Sequence, residues 1–252
     1  MIDLAELVSR LNPQQKVNYD RLLEKMIKSW QEEKYRPSIL LHTCCAPCLT
    51  YSLSYLSQYA DVTVYFANPN IHPKAEYQRR ALVTQRFIRD FNGTSPYQVQ
   101  YIEAPYEPEK FFSLVHGWEQ EEEGGRRCQL CFHYRLEQTA SLALDLGFDY
   151  FASVLTLSPH KDAQLINRLG LEIQELYQTR YLPSDFKKRQ GYQRSIELCK
   201  DYDIYRQCYC GCIFGARDQG VNLAQIKRDA QAFLKEQEGQ TDFPDIQFKL
   251  IH

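Results

Sequence analysis

Residues 38–48, SILLHTCCAPC, carry a short apolar run straight into three closely spaced cysteines. A run of that length predicts a buried strand over Ser38–His42, with the cysteines in the loop at its carboxyl end. Val62-Thr63-Val64-Tyr65-Phe66-Ala67 is rich in β-branched and aromatic residues and predicts a second strand. Leu49–Tyr59 reads as the helix between them. After a loop over Asn68–Pro73, a long charged helix is expected from Ala75 to Phe91, a third strand over Gln98–Glu103 and a fourth over Asp149–Leu155. This alternation predicts an α/β chain: a doubly wound, Rossmann-like parallel-sheet layer fold whose ligands gather beyond the carboxyl ends of its strands.

Helical additions are expected at both ends. Tyr19, Leu22, Leu23, Met26, Ile27 and Trp30 repeat at helical spacing before Pro37, and Asn12-Pro13-Gln14-Gln15 has the residue types of a helix start. Residues 1–36 therefore read as a helical N-terminal extension, and 37–252 as a single α/β catalytic domain with a metal site. Tyr134–Leu146 continues as a helix from Cys128–Cys131, while Leu223, Ile226, Ala230, Phe233 and Leu234 share one face of a closing C-terminal helix. The acidic tract Glu119–Glu123 reads as a mobile surface loop.

Nine cysteines in 252 residues require an explanation. The first residues, MIDLAELVSR, lack the basic start and apolar stretch of a signal peptide, and no apolar run approaches the roughly 20 residues of a membrane span. The expected setting is the cytoplasm, without membrane association, where thiols stay reduced and an odd cysteine count does not build a disulfide framework. A formal net charge of -2 excludes a strongly basic nucleic-acid binder by composition, though not a local basic patch.

The cysteines fall into three groups: Cys44-Cys45-x-x-Cys48, Cys128-x-x-Cys131 and Cys208-x-Cys210-x-Cys212. A C-x-x-C turn aims two sulfurs at one point, as a tetrahedral metal or an iron–sulfur cluster requires. Together the groups offer more thiolates than one zinc uses, which favours a cluster beside a second metal or a reactive thiol pair. A structural zinc on Cys48, Cys128, Cys131 and one more thiol is the plainer alternative. Cys199 and Cys208 taken singly read as ordinary thiols.

Several separated motifs, in order, resemble the QueH-type epoxyqueuosine reductases. They are His42–Cys48; Asn68–Pro73 with Glu76-Tyr77; Arg127–Phe132; Ser158-Pro159-His160-Lys161; Ser184–Lys188; Gly191–Ser195; and Tyr205–Gln207 with Tyr209–Cys212. The resemblance runs from about Ile39 to Phe214. It implies a cobalamin-free enzyme that reduces the epoxide of epoxyqueuosine at the tRNA wobble position, using a [4Fe–4S] cluster and an adjacent mononuclear iron. It implies a fold similar to the PP-loop superfamily, although the cysteine loop stands where a phosphate loop would, which argues against ATP use. An unidentified low-potential electron donor and the tRNA anticodon loop are the implied partners.

On that reading Cys48, Cys128 and Cys131 hold the cluster with one of Cys44 and Cys45. The other, with Cys210 and Cys212, holds the second iron, neighbouring thiolates pointing opposite ways to bridge two centres. Asp185, Asp162, His160 and Tyr192 are the candidate proton donors. Asp185 is equally readable as a helix cap, and His42 as a hydrogen-bonding support for the cysteine loop. Substrate contacts are expected from Asn68, Asn70, His72, Glu76, Tyr77, Lys161, Lys187, Lys188, Arg194, Arg206 and Tyr209, with tyrosines to stack on unstacked bases and cations for phosphates. Rival readings are a zinc-containing RNA-binding protein, a thiol–disulfide oxidoreductase working through Cys44 and Cys45, and an ATP-dependent tRNA thiolation enzyme.

Overall fold

The computed structural model describes residues 16–237, so the expected helix start at Asn12–Gln15 lies outside the described residues. The first described helix, α1 (Tyr19–Glu32), is capped by Asn18, whose side chain accepts from the Arg21 amide. All six residues of its expected apolar stripe are buried, in the same core as the sheet, with Trp30 against the Tyr150 ring.

Four strands follow the expected order: β1 (Ser38–Thr43), β2 (Asp61–Phe66), β3 (Gln100–Glu103) and β4 (Tyr150–Ser153). They form one all-parallel sheet in the order β3-β2-β1-β4, flanked by helices. β1 and β4 are almost continuously buried, as strands covered on both faces must be, with Ile39, Leu40 and Leu41 the apolar centre of β1. Asp149 fixes their common start by accepting from both the Ser38 amide and its hydroxyl. β4 is shorter than its apolar run. The Ser153 hydroxyl accepts from the Leu155 amide, and Val154–Leu157 turn into a 3-10 helix.

Helix α2 (Ala46–Leu56) starts three residues before the expected boundary, because Pro47 suits a first helical turn. α3 (Lys74–Thr94) and the short α4 (Pro108–Leu114) precede α5 (Arg126–Leu146), which closes at left-handed Gly147. α6 (Ala163–Tyr177) packs along α5, and α7 (Gly191–Asp201) along α2. The short α8 (Ile213–Asp218) and α9 (Leu223–Glu236) end the described chain. α9 rests on α3, with Ala230 buried and Leu223, Ile226, Phe233 and Leu234 half-buried.

β1 leads to β2 on one side and pairs with β4 on the other, so the sheet's topological switch point lies between β1 and β4. Beyond their carboxyl ends lie the loop with Cys44–Cys48 and the segment Ser158–Asp162. That is where open parallel sheets place their ligands.

Candidate metal centre

The first cysteine group sits on the turn from strand to helix. Thr43 ends β1, Cys45 stands in extended conformation at the N-cap of α2, and Cys48 lies on the first turn. The chain changes direction between Cys44 and Cys45, so their sulfurs converge to 3.5 Å instead of pointing opposite ways. The donor atoms of Cys44, Cys45 and Cys48 all lie within 4.8 Å of one another. Thiolates around one tetrahedral ion stand ~3.8 Å apart, given metal–sulfur bonds of about 2.3 Å. Three thiols at this spacing, two buried and one half-buried, do not all ionise together. Hydrogen bonds from the Cys45 and Cys48 thiols hold the Cys44 thiol well below its usual range, while the contacts with Cys44 push Cys45 up to about 12 and raise Cys48 well above its ordinary value. A bound cation would release the remaining protons.

The second group comes from two distant segments. Cys128 and Cys131 lie one turn apart on α5, while Cys210 and Cys212, 3.7 Å apart, lie on the loop entering α8. All four line one cavity of about 60 Å³. Backbone amides face two of the sulfurs: Gly124 donates to Cys128 and Gly215 to Cys212, each at 3.2 Å. Gly215 is needed here, since a Cβ would lie 3.0 Å from the Cys210 sulfur and 3.4 Å from that of Cys212. The Cys212 hydrogen bond draws the Cys210 thiol down to about 6, whereas burial lifts Cys131 to about 11. Cys210 also lines a larger cavity of about 380 Å³ with Cys44 and Cys48, so the two thiol groups adjoin.

Cations surround the thiols. Arg80 is buried against Glu76 at 2.7 Å and donates to the Tyr209 and Cys210 carbonyls, which holds the Cys210 loop against α3. Arg127 pairs with Asp218 at 3.0 Å and donates to the Glu119 and Glu121 carbonyls. Arg135 reaches His42, Asn68 and the Cys131 sulfur. Arg135 donates to Nε2 of His42, and Nδ1 of that imidazole stands 2.9 Å from the Ser153 hydroxyl. Burial and then the Arg135 charge push the imidazole to about 3. Burial works against the Lys161 ammonium, but the thiols of Cys44, Cys48, Cys210 and Cys45 raise it above its ordinary value.

Of the expected site residues, His160, Lys161, Tyr192, Arg206 and Tyr209 line the larger cavity, with Pro47 and Gln207. Asp162 lines the smaller cavity and caps α6, accepting from the Gln164 amide at 2.8 Å. Asn70 also lines it, and its buried Oδ1 has no hydrogen-bond partner. Asp185 lies outside both cavities, buried 3.3 Å from Lys187, and no helix starts at it. Asn68 donates to the Thr43 carbonyl, Glu76 holds Arg80, and Tyr77 donates to Glu103 and the Ala104 carbonyl; all three are buried. His72 packs between Tyr106 and Phe112, with Tyr209 donating to its carbonyl. Lys188 is exposed, and Arg194 lines a separate groove with Tyr51 and Tyr55.

Three residues outside the expected set belong to this centre. Gln207 donates to the Cys45 sulfur at 2.8 Å. Arg135 follows Cys128 and Cys131 at seven and four residues, a helical spacing that places it on their face. Glu123, in the tract read as a mobile loop, lines both cavities and accepts from Gln219. That tract is tied down by Arg127 and by Arg217, which donates to the Glu119 carbonyl at 2.8 Å.

A parallel α/β sheet with a thiol-built candidate metal centre at its switch point defines the class of protein. The family follows from comparison with known chains. The model of the family "Epoxyqueuosine reductase QueH" matches residues 39–218, a span that contains every cysteine and all but one of the residues lining the two cavities. The Epoxyqueuosine reductase QueH of Streptococcus pyogenes serotype M1 is 57% identical over 248 residues, 98% of this chain and 97% of the relative. That of Staphylococcus epidermidis is 55% identical over 94% of this chain and 100% of its own, and that of Thermotoga maritima 33% identical over 76% and 96%. The chain belongs to the epoxyqueuosine reductase QueH family. Among the described residues no helix is long and apolar enough to cross a membrane.

Proposed function

We infer that this chain is an epoxyqueuosine reductase, acting in queuosine biosynthesis on the modified base at the wobble position of tRNA. The observation that carries this is the family match over residues 39–218, with seven cysteines converging inside it at the edge of the sheet. The reading places the chain in the cytoplasm with a PP-loop-like fold. Among the described residues, those from 37 to 237 are its catalytic domain and the helix α1 before them an addition, and a low-potential carrier supplies its electrons; the rest of the expected extension 1–36 and of the domain 37–252 lies outside the described residues.

The residues fit two metal centres. The spacing of Cys44, Cys45 and Cys48 suits a single iron, and Cys128, Cys131, Cys210 and Cys212 around their own cavity suit a [4Fe–4S] cluster. This division differs from the one drawn from the motifs, because Cys48 stands with Cys44 and Cys45. The orphaned Asn70 Oδ1 and the Gly215 cradle mark space left for a group. When bound, such a pair of centres supplies electrons singly and a Lewis acid for the epoxide oxygen.

Removing that oxygen consumes two electrons and two protons and releases water. The chain's own part is to hold the base and deliver the protons. The larger cavity, about 380 Å³, has the size of a small-molecule site. A base turned out of the anticodon loop enters it, with Tyr192 and Tyr209 along its walls and Arg206 at an exposed position for phosphate. Lys161 Nζ and the imidazole of His160 are the proton-bearing groups facing the thiols; the Tyr192 hydroxyl completes the set. Asp162 fixes the start of α6 directly behind Lys161, and Asp185 holds Lys187.

Anaerobic purification with iron, sulfide and zinc quantified, then a reductant-driven assay on epoxyqueuosine-containing tRNA, tests the reading. Iron and sulfide at cluster stoichiometry with conversion to queuosine supports it. Zinc without sulfide, and no conversion after iron–sulfur reconstitution, overturns it. For the division of ligands, C48S loses about one iron in five and keeps its sulfide, whereas C128S/C131S loses its sulfide and the iron that accompanies it.

A further inference from the structure

Arg80, Arg127 and Arg135 are buried to 2%, 1% and 3% exposure. Two of them have carboxylate partners, Glu76 and Asp218. Arg135 has none among the described residues, and a buried, uncompensated guanidinium is expensive to maintain. Its contacts are with neutral groups and a sulfur. Nε donates to His42 Nε2 at 3.3 Å, Nη2 to Asn68 Oδ1 at 2.7 Å, and Nη1 stands 3.9 Å from the Cys131 sulfur. The neutral partners are themselves anchored: Asn68 donates to the Thr43 carbonyl and His42 bonds Ser153, so β1 and β4 both fix the fork in place. The guanidinium is thus aimed without its charge being cancelled.

The missing counter-charge lies on the sulfur side. We propose that Arg135 is a positioning residue that sets the reduction potential of the iron–sulfur centre ligated through Cys131; this rests on the cofactor reading above. A fixed positive charge beside a sulfur ligand favours the state with the extra electron, and so raises the potential. The hydrogen bonds that Arg135 donates to Asn68 and His42 serve to keep that charge at the sulfur.

The test is an anaerobic redox titration of reconstituted full-length wild type, R135K and R135Q, followed by absorbance and electron paramagnetic resonance, with iron and sulfide measured in each. At the wild-type midpoint, R135Q shows a reduced-to-oxidised ratio about tenfold lower, equivalent to a midpoint about 59 mV more negative for one electron. R135K, which keeps the charge, stays within threefold of wild type. A change of less than threefold in R135Q with wild-type iron and sulfide overturns the proposal, as does R135K falling as far as R135Q. Should R135Q hold no cluster, N68D takes its place: it keeps Arg135 but sets a carboxylate against it. The same tenfold fall is then expected, and an unchanged midpoint refutes the idea. Wild type without sulfide overturns the cofactor reading instead.

Discussion

Glu76→Gln separates stability from metal binding. Glu76 and Arg80 sit one helical turn apart on α3, their side chains 0% and 1% exposed and 2.7 Å apart. The Glu76 carboxylate also accepts from the Tyr205 hydroxyl at 3.2 Å. The amide keeps the shape but removes the charge, leaving Arg80 buried without a counter-ion. Breaking one side of a buried pair costs ~3–5 kcal/mol. For a domain of this size that is about 2–4 °C per kcal/mol, or roughly 6–20 °C in Tm. The assay is thermal and urea unfolding of the metal-free protein under reductant, so that metal loss does not enter. E76L/R80M, which replaces the pair by apolar side chains, recovers more than half of the lost stability. It does not recover metal, because Arg80 no longer holds the Tyr209 and Cys210 carbonyls. E76Q within 1 kcal/mol of wild type, or E76L/R80M as unstable as E76Q, would refute the assignment of Glu76 to structure.

Gly215→Ala sets a methyl group 3.0 Å from the Cys210 sulfur, and overpacking of this kind costs ~1–3 kcal/mol; retained iron falls at least twofold, and wild-type iron content would show that the loop gives way freely. Lys161→Met keeps iron and sulfide at wild-type levels but lowers conversion of epoxyqueuosine tRNA at least tenfold; full activity at saturating tRNA would remove Lys161 from the chemistry. His42 is held neutral in the native state down to about pH 3, whereas an unfolded histidine titrates near ~6.5. The unfolded chain therefore binds more protons between those values. The stability is present in full above about pH 6.5 and falls by ~1.4 kcal/mol per unit as pH drops toward 3. In metal-free His42→Gln the urea-midpoint profile from pH 6 to 4 flattens by one proton's worth of slope, and an unaltered slope would contradict the buried neutral ring.

The four strands and the helices after β1 and β2 were readable because each apolar run is short and bounded by turn residues, whereas the helices Ala163–Tyr177 and Gly191–Asp201 were not read. The α1 stripe was equally plain: six residues at helical spacing, all buried. Boundaries failed where local chemistry overrode pattern, at Pro47 in the first turn of α2 and at the Ser153 hydroxyl ending β4. The cysteine motifs were legible as a candidate metal centre, yet which thiols stand together in space was not. Side-chain alternation in a strand suggested that Cys44 and Cys45 diverge, but the strand ends at Thr43 and alternation no longer applies. Charged site residues were the hardest to read. Glu76 and Tyr77 stand in a motif beside the cysteines but line neither cavity, whereas the tract of Glu123 looked like loop composition because its ties come from far along the chain or the next helix: Gln219 to Glu123, Arg127 to Glu119 and Glu121, and Arg217 to Glu119.

Each thiol group rests on a different kind of support. Cys44, Cys45 and Cys48 are fixed by β1 and α2 themselves, and Cys128 and Cys131 by the first turns of a 21-residue helix buried along the sheet. Cys210 and Cys212 have no such element. Their loop is placed by single contacts: Arg80 to two carbonyls, the Gly211 carbonyl accepting from the His72 amide, Tyr209 to the His72 carbonyl, and the Gly215 amide on the Cys212 sulfur. Most of those contacts originate on α3 and the loop before it, and that explains why the Asn68–Pro73 and Glu76-Tyr77 motifs accompany the cysteines without reaching either cavity at Glu76 or Tyr77. They carry the third thiol pair to the other two. Cys210, the thiol common to both cavities, is thereby the part of the centre whose position depends most on side chains and least on the sheet.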